Sequence, residues 1–233
     1  MSRRCCFIVI ALLLGGIALE AGEASALTIQ LAPSDDSFVF TGDPDTVFGA
    51  DEQMASGYAF SGAQQWRAYL KFDLSSLPAG TITAASLHMV QFLGSGFTNL
   101  GTRVYRAASD AWNEGSLTWN NQPDGGVLGT LLDQNEDGFA HFGESSWDLL
   151  STDQGAVWDP TDDLTDGFLS LVVTETGAGD QTHNWRSKEY QANPALRPYL
   201  LLEVPEPGTV ALFGAAFLAL AAAVRRPPGQ RRS

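Results

Sequence analysis

In residues 66 to 74, WRAYLKFDL, apolar and polar side chains alternate without a break. Ala68, Leu70, Phe72 and Leu74 fall on one side, and Arg67, Tyr69, Lys71 and Asp73 on the other. A helix repeats its faces every 3.6 residues and cannot sort this pattern, whereas an antiparallel strand with one face in a core sorts it completely. Shorter strands are expected at 28–31, 37–40, 85–92, 103–105, 116–119, 147–150, 168–174 and 198–204, with Gly, Asp, Asn and Pro clusters between them. Many short strands joined by turn chemistry predict an all-β fold, an antiparallel two-sheet β-sandwich or jelly roll.

The two ends of the chain have another character. Ser2, Arg3 and Arg4 precede an apolar run from Cys5 to Leu19, and Ala24-Ser25-Ala26 follows. Basic start, apolar middle and small-residue close are the order of a secretory signal peptide, so residues 1–26 are expected to leave by cleavage between Ala26 and Leu27. Cys5 and Cys6 leave with them, and the exported body then contains neither disulfides nor cysteine-ligated zinc.

At the other end, Pro205-Glu206-Pro207 is followed by 16 uncharged residues, 209–224, and then by Arg225, Arg226, Arg231 and Arg232. The apolar run falls short of the roughly 20 residues that span a bilayer, and positive-inside logic leaves the arginines in the cytoplasm. The Pro-Glu-Pro element, the short apolar helix and the basic end resemble a PEP-CTERM sorting signal over residues 205–233. That resemblance implies a Gram-negative bacterium and transient inner-membrane association through the C-terminal helix. It also implies an exosortase-type enzyme that removes the tail during delivery to the cell surface or exopolysaccharide matrix. A permanent single-span anchor is the alternative.

Between the ends lie residues 27–204, expected to form one domain of 178 residues with 7 Lys and Arg against 24 Asp and Glu, a net of −17. Such a surface repels phosphates, which excludes nucleic acid and anionic lipid as partners and suits divalent cations.

Five phrases of this body resemble a family in both order and wording: DDSFVF at 35–40, RAYLKFDLSSLPAGTITAASLHM at 67–89, DAWNEGSLTWNNQP at 110–123, SSWDLLS at 145–151 and WRSKEYQANPALRPYLLLEV at 185–204. They resemble DNRLRE domains, which are similar to carbohydrate-binding module family 96. The resemblance implies a β-sandwich on bacterial and archaeal surface proteins, often attached to polysaccharide-active enzymes, with alginate-type binding in some members. It implies no catalysis.

Three groups of residues are candidates for function. The outward face of the 66–74 strand carries Arg67, Tyr69 and Lys71, and Arg103 and Tyr105 would join them from a neighbouring strand. Guanidinium and ammonium groups match uronate carboxylates and a tyrosine ring can stack on a sugar, although cross-strand pairing with the body's carboxylates uses the same residues. In SLTW, Leu117 and Trp119 share a face and are expected in the core, with Asn120 to Pro123 forming the turn. Trp112 either covers an edge or stacks on sugar.

The third group follows the calcium-loop pattern D-x-[DN]-x-[DN]-G-x5-E. Asp133, Asn135 and Asp137 precede Gly138, Phe139 offers a carbonyl, His141 stands at the position often served through water, and Glu144 closes the shell. An acidic hairpin turn at 136–138 is the competing reading. Catalysis has little support: His88, His141 and His183 are the three histidines, both His88 and His183 are expected at surface or edge positions, and neither G-x-S-x-G nor H-E-x-x-H occurs. The sequence therefore reads as an exported, non-catalytic β-sandwich that binds or organises polysaccharide, possible ligands being acidic and alginate-like, with calcium as a candidate cofactor. A purely structural matrix protein is the competing reading, and a glycoside-active enzyme stands third.

Overall fold

The computed structural model describes residues 26–77, 82–96, 101–136, 141–177 and 179–205. The expected signal peptide up to residue 25, and Glu206, Pro207 and the apolar run 209–224, lie outside the described residues. Among the described residues no helix is long and apolar enough to cross a membrane.

Among the described residues eleven strands follow one another: β1 (Ala26–Leu31), β2 (Asp35–Phe40), β3 (Gln53–Ala59), β4 (Gln64–Asp73), β5 (Ala84–Gly96), β6 (Thr102–Ala107), β7 (Leu128–Asn135), β8 (Gly143–Asp148), β9 (Phe168–Glu175), β10 (Gln181–Arg186) and β11 (Tyr199–Pro205). The one α-helix among the described residues, α1 (Thr161–Asp166), leads into β9. All pairings are antiparallel. One layer sets β8 on one edge of β5 and β11 then β10 on the other, with β1 outside β11. The second layer runs β2, β4, β9, β6, β7. β3 pairs with β10 on one edge and with the first residues of β4 on the other, so the sheet curls through this corner into the two layers of a sandwich.

The core lies between the layers and is built at a period of two. Ala68, Leu70 and Phe72 of β4 and Leu169, Leu171 and Val173 of β9 face Leu87 and Met89 of β5 and Leu200, Leu202 and Val204 of β11. Trp147, Trp158 and Trp185 are fully buried there, with the first and last packed edge to face at 5.7 Å between ring centroids.

Two expectations fail locally. Residues 116–119 form no strand: they run from a turn into a 3₁₀ turn at Trp119–Asn121, because Asn121 takes the Thr118 N–H on its own side chain at 2.7 Å and competes with extended pairing. The expected strand at 147–150 lies earlier, at Gly143–Asp148, and Asp148 ends it by accepting the Leu150 N–H at 2.9 Å.

Candidate glycan-binding face

The second face of β4 does not meet solvent. Segment 108–127 folds back across β2, β4 and β9, and a smaller second core forms beneath it from Val39, Tyr69, Ala107, Trp112, Leu117 and Val172. Tyr69 is 2% exposed, Trp112 7% and Lys71 8%. Trp112 donates from Nε1 to Ser170 Oγ at 3.0 Å, and Arg67 donates to the Gly126 carbonyl and, at 3.2 Å, to Gln122 Oε1, with its guanidinium over the Trp119 ring. Lys71 donates to the Trp112 carbonyl, lies 3.3 Å from the Asp35 carboxylate and sits over the Trp112 ring. Cross-strand register confirms the alternation but corrects what it implied: Tyr69, Val172 and Tyr105 form one row, with β9 between β4 and β6. Arg103, on β6, donates to Gln134 Oε1 at 3.1 Å. Arg67, Tyr69, Lys71 and Trp112 therefore fasten a covering loop instead of presenting a docking surface, and Tyr105 packs against the second core. The apolar side chains of that loop need burial, and this face supplies it.

The calcium-loop residues are spread over two strands, and Asp137, Gly138 and Phe139 lie outside the described residues. Both Asp133 oxygens accept backbone N–H groups, from Gln134 and Asp148, each at 2.8 Å. Asn135 Oδ1 accepts the Thr102 hydroxyl at 2.8 Å, and His141 Nε2 meets the Glu144 carbonyl at 3.2 Å. Glu144 Oε1 accepts from the Tyr199 hydroxyl at 2.6 Å and from His88 Nδ1 at 2.9 Å. Asp133 binds β8 at Asp148, four residues or about 13 Å from Glu144, so these two carboxylates do not converge.

The outer face of the other layer is open. Arg186, at the end of β10 and opposite Gln53 of β3, points outward between two rings, 3.7 Å from the Phe92 centroid and 3.9 Å from that of Tyr190. With Asp51, Glu52, Gln53 and Phe92 it lines a cavity of about 340 Å³. Among the described residues no carboxylate pairs with this guanidinium, and its buried Nε has no hydrogen-bond partner. Further along β5 on the same face, the His88 ring stacks on Tyr199 at 4.5 Å. The hydrogen bond from Tyr199, helped by His88, holds the Glu144 carboxyl below the usual glutamate range. Burial together with Glu144 pushes the Tyr199 phenol up to about 12.

His183 is not at the surface as expected but fully buried, where it bonds Glu175 Oε1 from Nδ1 at 2.8 Å, and Ser56 Oγ donates to the same oxygen at 2.9 Å. Serine, histidine and carboxylate thus meet, but the serine binds the carboxylate and not the imidazole, and it takes a hydrogen bond from Trp185 Nε1 at 3.0 Å. Buried in this way, the group knits β3, β9 and β10 and offers no nucleophile to a substrate.

No local pattern foretold the Arg186 site. Its parts come from β5, β10, the loop after β10 and the segment that enters β3, and Arg186 lies on a strand that apolar alternation does not announce.

Comparison with known proteins places the chain as a whole. Residues 203–226 match the PEP-CTERM protein-sorting motif, which marks an exported protein sorted by an exosortase. A gellan lyase from a Bacillus species is 30% identical over 126 residues, half of this chain but 5% of that protein. The model of carbohydrate-binding module family 96 matches residues 27–203, nearly the whole sandwich, and the chain belongs to that family.

Proposed function

We propose that the chain is an exported, non-catalytic polysaccharide-binding protein of a Gram-negative surface or matrix, and that the open β5–β10–β3 face holds the glycan. The observation that carries this reading is Arg186. In a body of net charge −17 its guanidinium has no carboxylate partner among the described residues, and two aromatic rings hold it at the rim of a cavity. A planar fork held in place suits the carboxylate of a uronate residue, while Gln53, Asp51 and Glu52 can bond sugar hydroxyls. The preferred ligand class is therefore an acidic polysaccharide. Processing at Ala26 and Leu27, and beyond Pro205, Glu206 and Pro207, would release a mature domain of residues 27–204 after transient inner-membrane association. The gellan lyase shares a segment of 126 residues with this chain, which fits a module and not the lyase as a whole.

Native electrophoresis of the chain through gels containing alginate, gellan or neutral glucans tests the reading. Retardation in the acidic gels supports it. Equal mobility in every gel favours a structural matrix protein, and shortening of the polymer favours an enzyme.

A further inference from the structure

Three of the phrases that carry the family resemblance, distant in sequence, meet at one point beside the covering loop. Asp36 of β2 is fully buried, and its Oδ2 accepts the Lys188 N–H at 2.7 Å. Its Oδ1 has no hydrogen-bond partner, nor has Glu189 Oε2, also a buried atom. Glu114, from the covering loop, accepts the Asp36 N–H on Oε2 at 3.1 Å. One carboxylate oxygen from each of Asp36, Glu114 and Glu189 lies within 4.8 Å of the others. A cation with oxygen bonds of about 2.4 Å spans that separation.

Charge balance points the same way. Asp35, Asp36, Glu114 and Glu189 gather here against Lys71 and Lys188, and with every carboxylate ionised two negative charges are in excess. Lys188 is already used, bonding both Glu114 and Glu189. Burial of unpaired carboxylate oxygens is costly, and a divalent ion removes both the charge and the unmade bonds.

We propose that Asp36, Glu114 and Glu189 bind a hard divalent cation, calcium by the flexible all-oxygen geometry, and that it staples β2, the covering loop and the 187–190 segment together. Residue Tyr190 of that segment packs on Arg186, so the ion also braces the rim of the open face.

Calcium chloride titrated into the chelator-stripped full chain should give a saturable heat of binding. At about a hundredfold excess over Kd, the thermal midpoint should rise by roughly 5 to 10 °C. Asp36→Asn and Glu189→Gln, both close in volume to the native side chains, should each abolish or sharply reduce that rise, while Asp137→Asn should leave it intact. The proposal is overturned if calcium, magnesium and manganese produce neither heat nor shift in the native chain, as a single proton shared by Asp36 and Glu189 would require. It is equally overturned if the rise survives both Asp36→Asn and Glu189→Gln, or if Asp137→Asn alone removes it.

Discussion

The Tyr69 hydroxyl donates to Gln122 Oε1 at 2.9 Å, a bond between the outer face of β4 and the loop that covers it. Gln122 Nε2 in turn donates to the Trp119 carbonyl at 2.8 Å, so one side chain fixes both the loop's internal turn and its attachment. Tyr69→Phe keeps the ring in the second core and removes only the hydrogen bond, and is expected to cost about 1 kcal/mol. Trp112→Ala empties the centre of that core and should cost about 3–5 kcal/mol. Urea unfolding of the two variants checks the order, and a Trp112→Ala cost no larger than that of Tyr69→Phe would mean that the loop is not fastened by this core.

If the open face carries the glycan, the two arginines that lie over aromatic rings among the described residues behave differently. Arg186→Ala is expected to weaken retention in acidic-polysaccharide gels by about 10- to 100-fold, the equivalent of losing charge-assisted hydrogen bonds worth roughly 1.5–3 kcal/mol. Arg186→Lys should restore little, since an ammonium lacks the planar fork and the ring-to-ring stacking. Arg67→Ala, which loosens the covering loop, should lower stability while leaving retention by the folded protein unchanged. Loss of retention in Arg67→Ala with none in Arg186→Ala would move the site to the other layer.

The sequence made β4 legible because one of its faces enters a continuous apolar core. It did not reveal that the other face is covered, since alternation reports the period of a strand and not what lies above it. A clue was present in β9, whose Leu169, Leu171 and Val173 face the main core while Val172 faces the second, leaving no wet side. β10 escaped detection because two of its inward residues are polar: Gln181 and His183 are buried through hydrogen bonds, which apolar periodicity does not register. β3 was hidden by its small residues, and Gly57 there lies so close to β10 that a Cβ would sit 2.3 Å from the Gln181 carbonyl oxygen. β7 was obscured by a calcium-loop pattern whose Asp133 serves as a backbone acceptor. The Asp36, Glu114 and Glu189 cluster and the Arg186 site are products of topology, assembled from segments that no local window contains.

The Glu144 carboxylate gives the open face an acid-sensitive element. Tyr199 and His88 bond its ionised form, so its folded pKa lies below the ordinary 4.5 and the native state binds fewer protons there than the unfolded chain. Its contribution to stability is fully present above pH 4.5 and is lost as the pH falls through the depressed folded value. Glu144→Gln removes that contribution, so the thermal midpoints of the native chain and the variant should differ at pH 6 and converge toward pH 3. A gap that widens as the pH falls would contradict the assigned bonds.

Ala26 pairs with Pro205 at the start of the β1–β11 ladder, so the expected signal-peptide cleavage site and the start of the sorting motif adjoin one end of the same strand pair. Cleavage after Ala26 would remove one rung and leave Leu27 to Leu31 paired with Val204 to Leu200. Trimming beyond the Pro-Glu-Pro element removes none of the described strands. The protein recovered from the cell surface or matrix should therefore have an intact mass lacking residues 1–26 and the apolar tail, and should unfold at the same temperature as a chain that retains the tail. Glu206→Ala is expected to block trimming, so that the tail stays on a fully folded domain. A mature mass that includes residues 209–233 in the native protein would instead identify the tail as a permanent anchor.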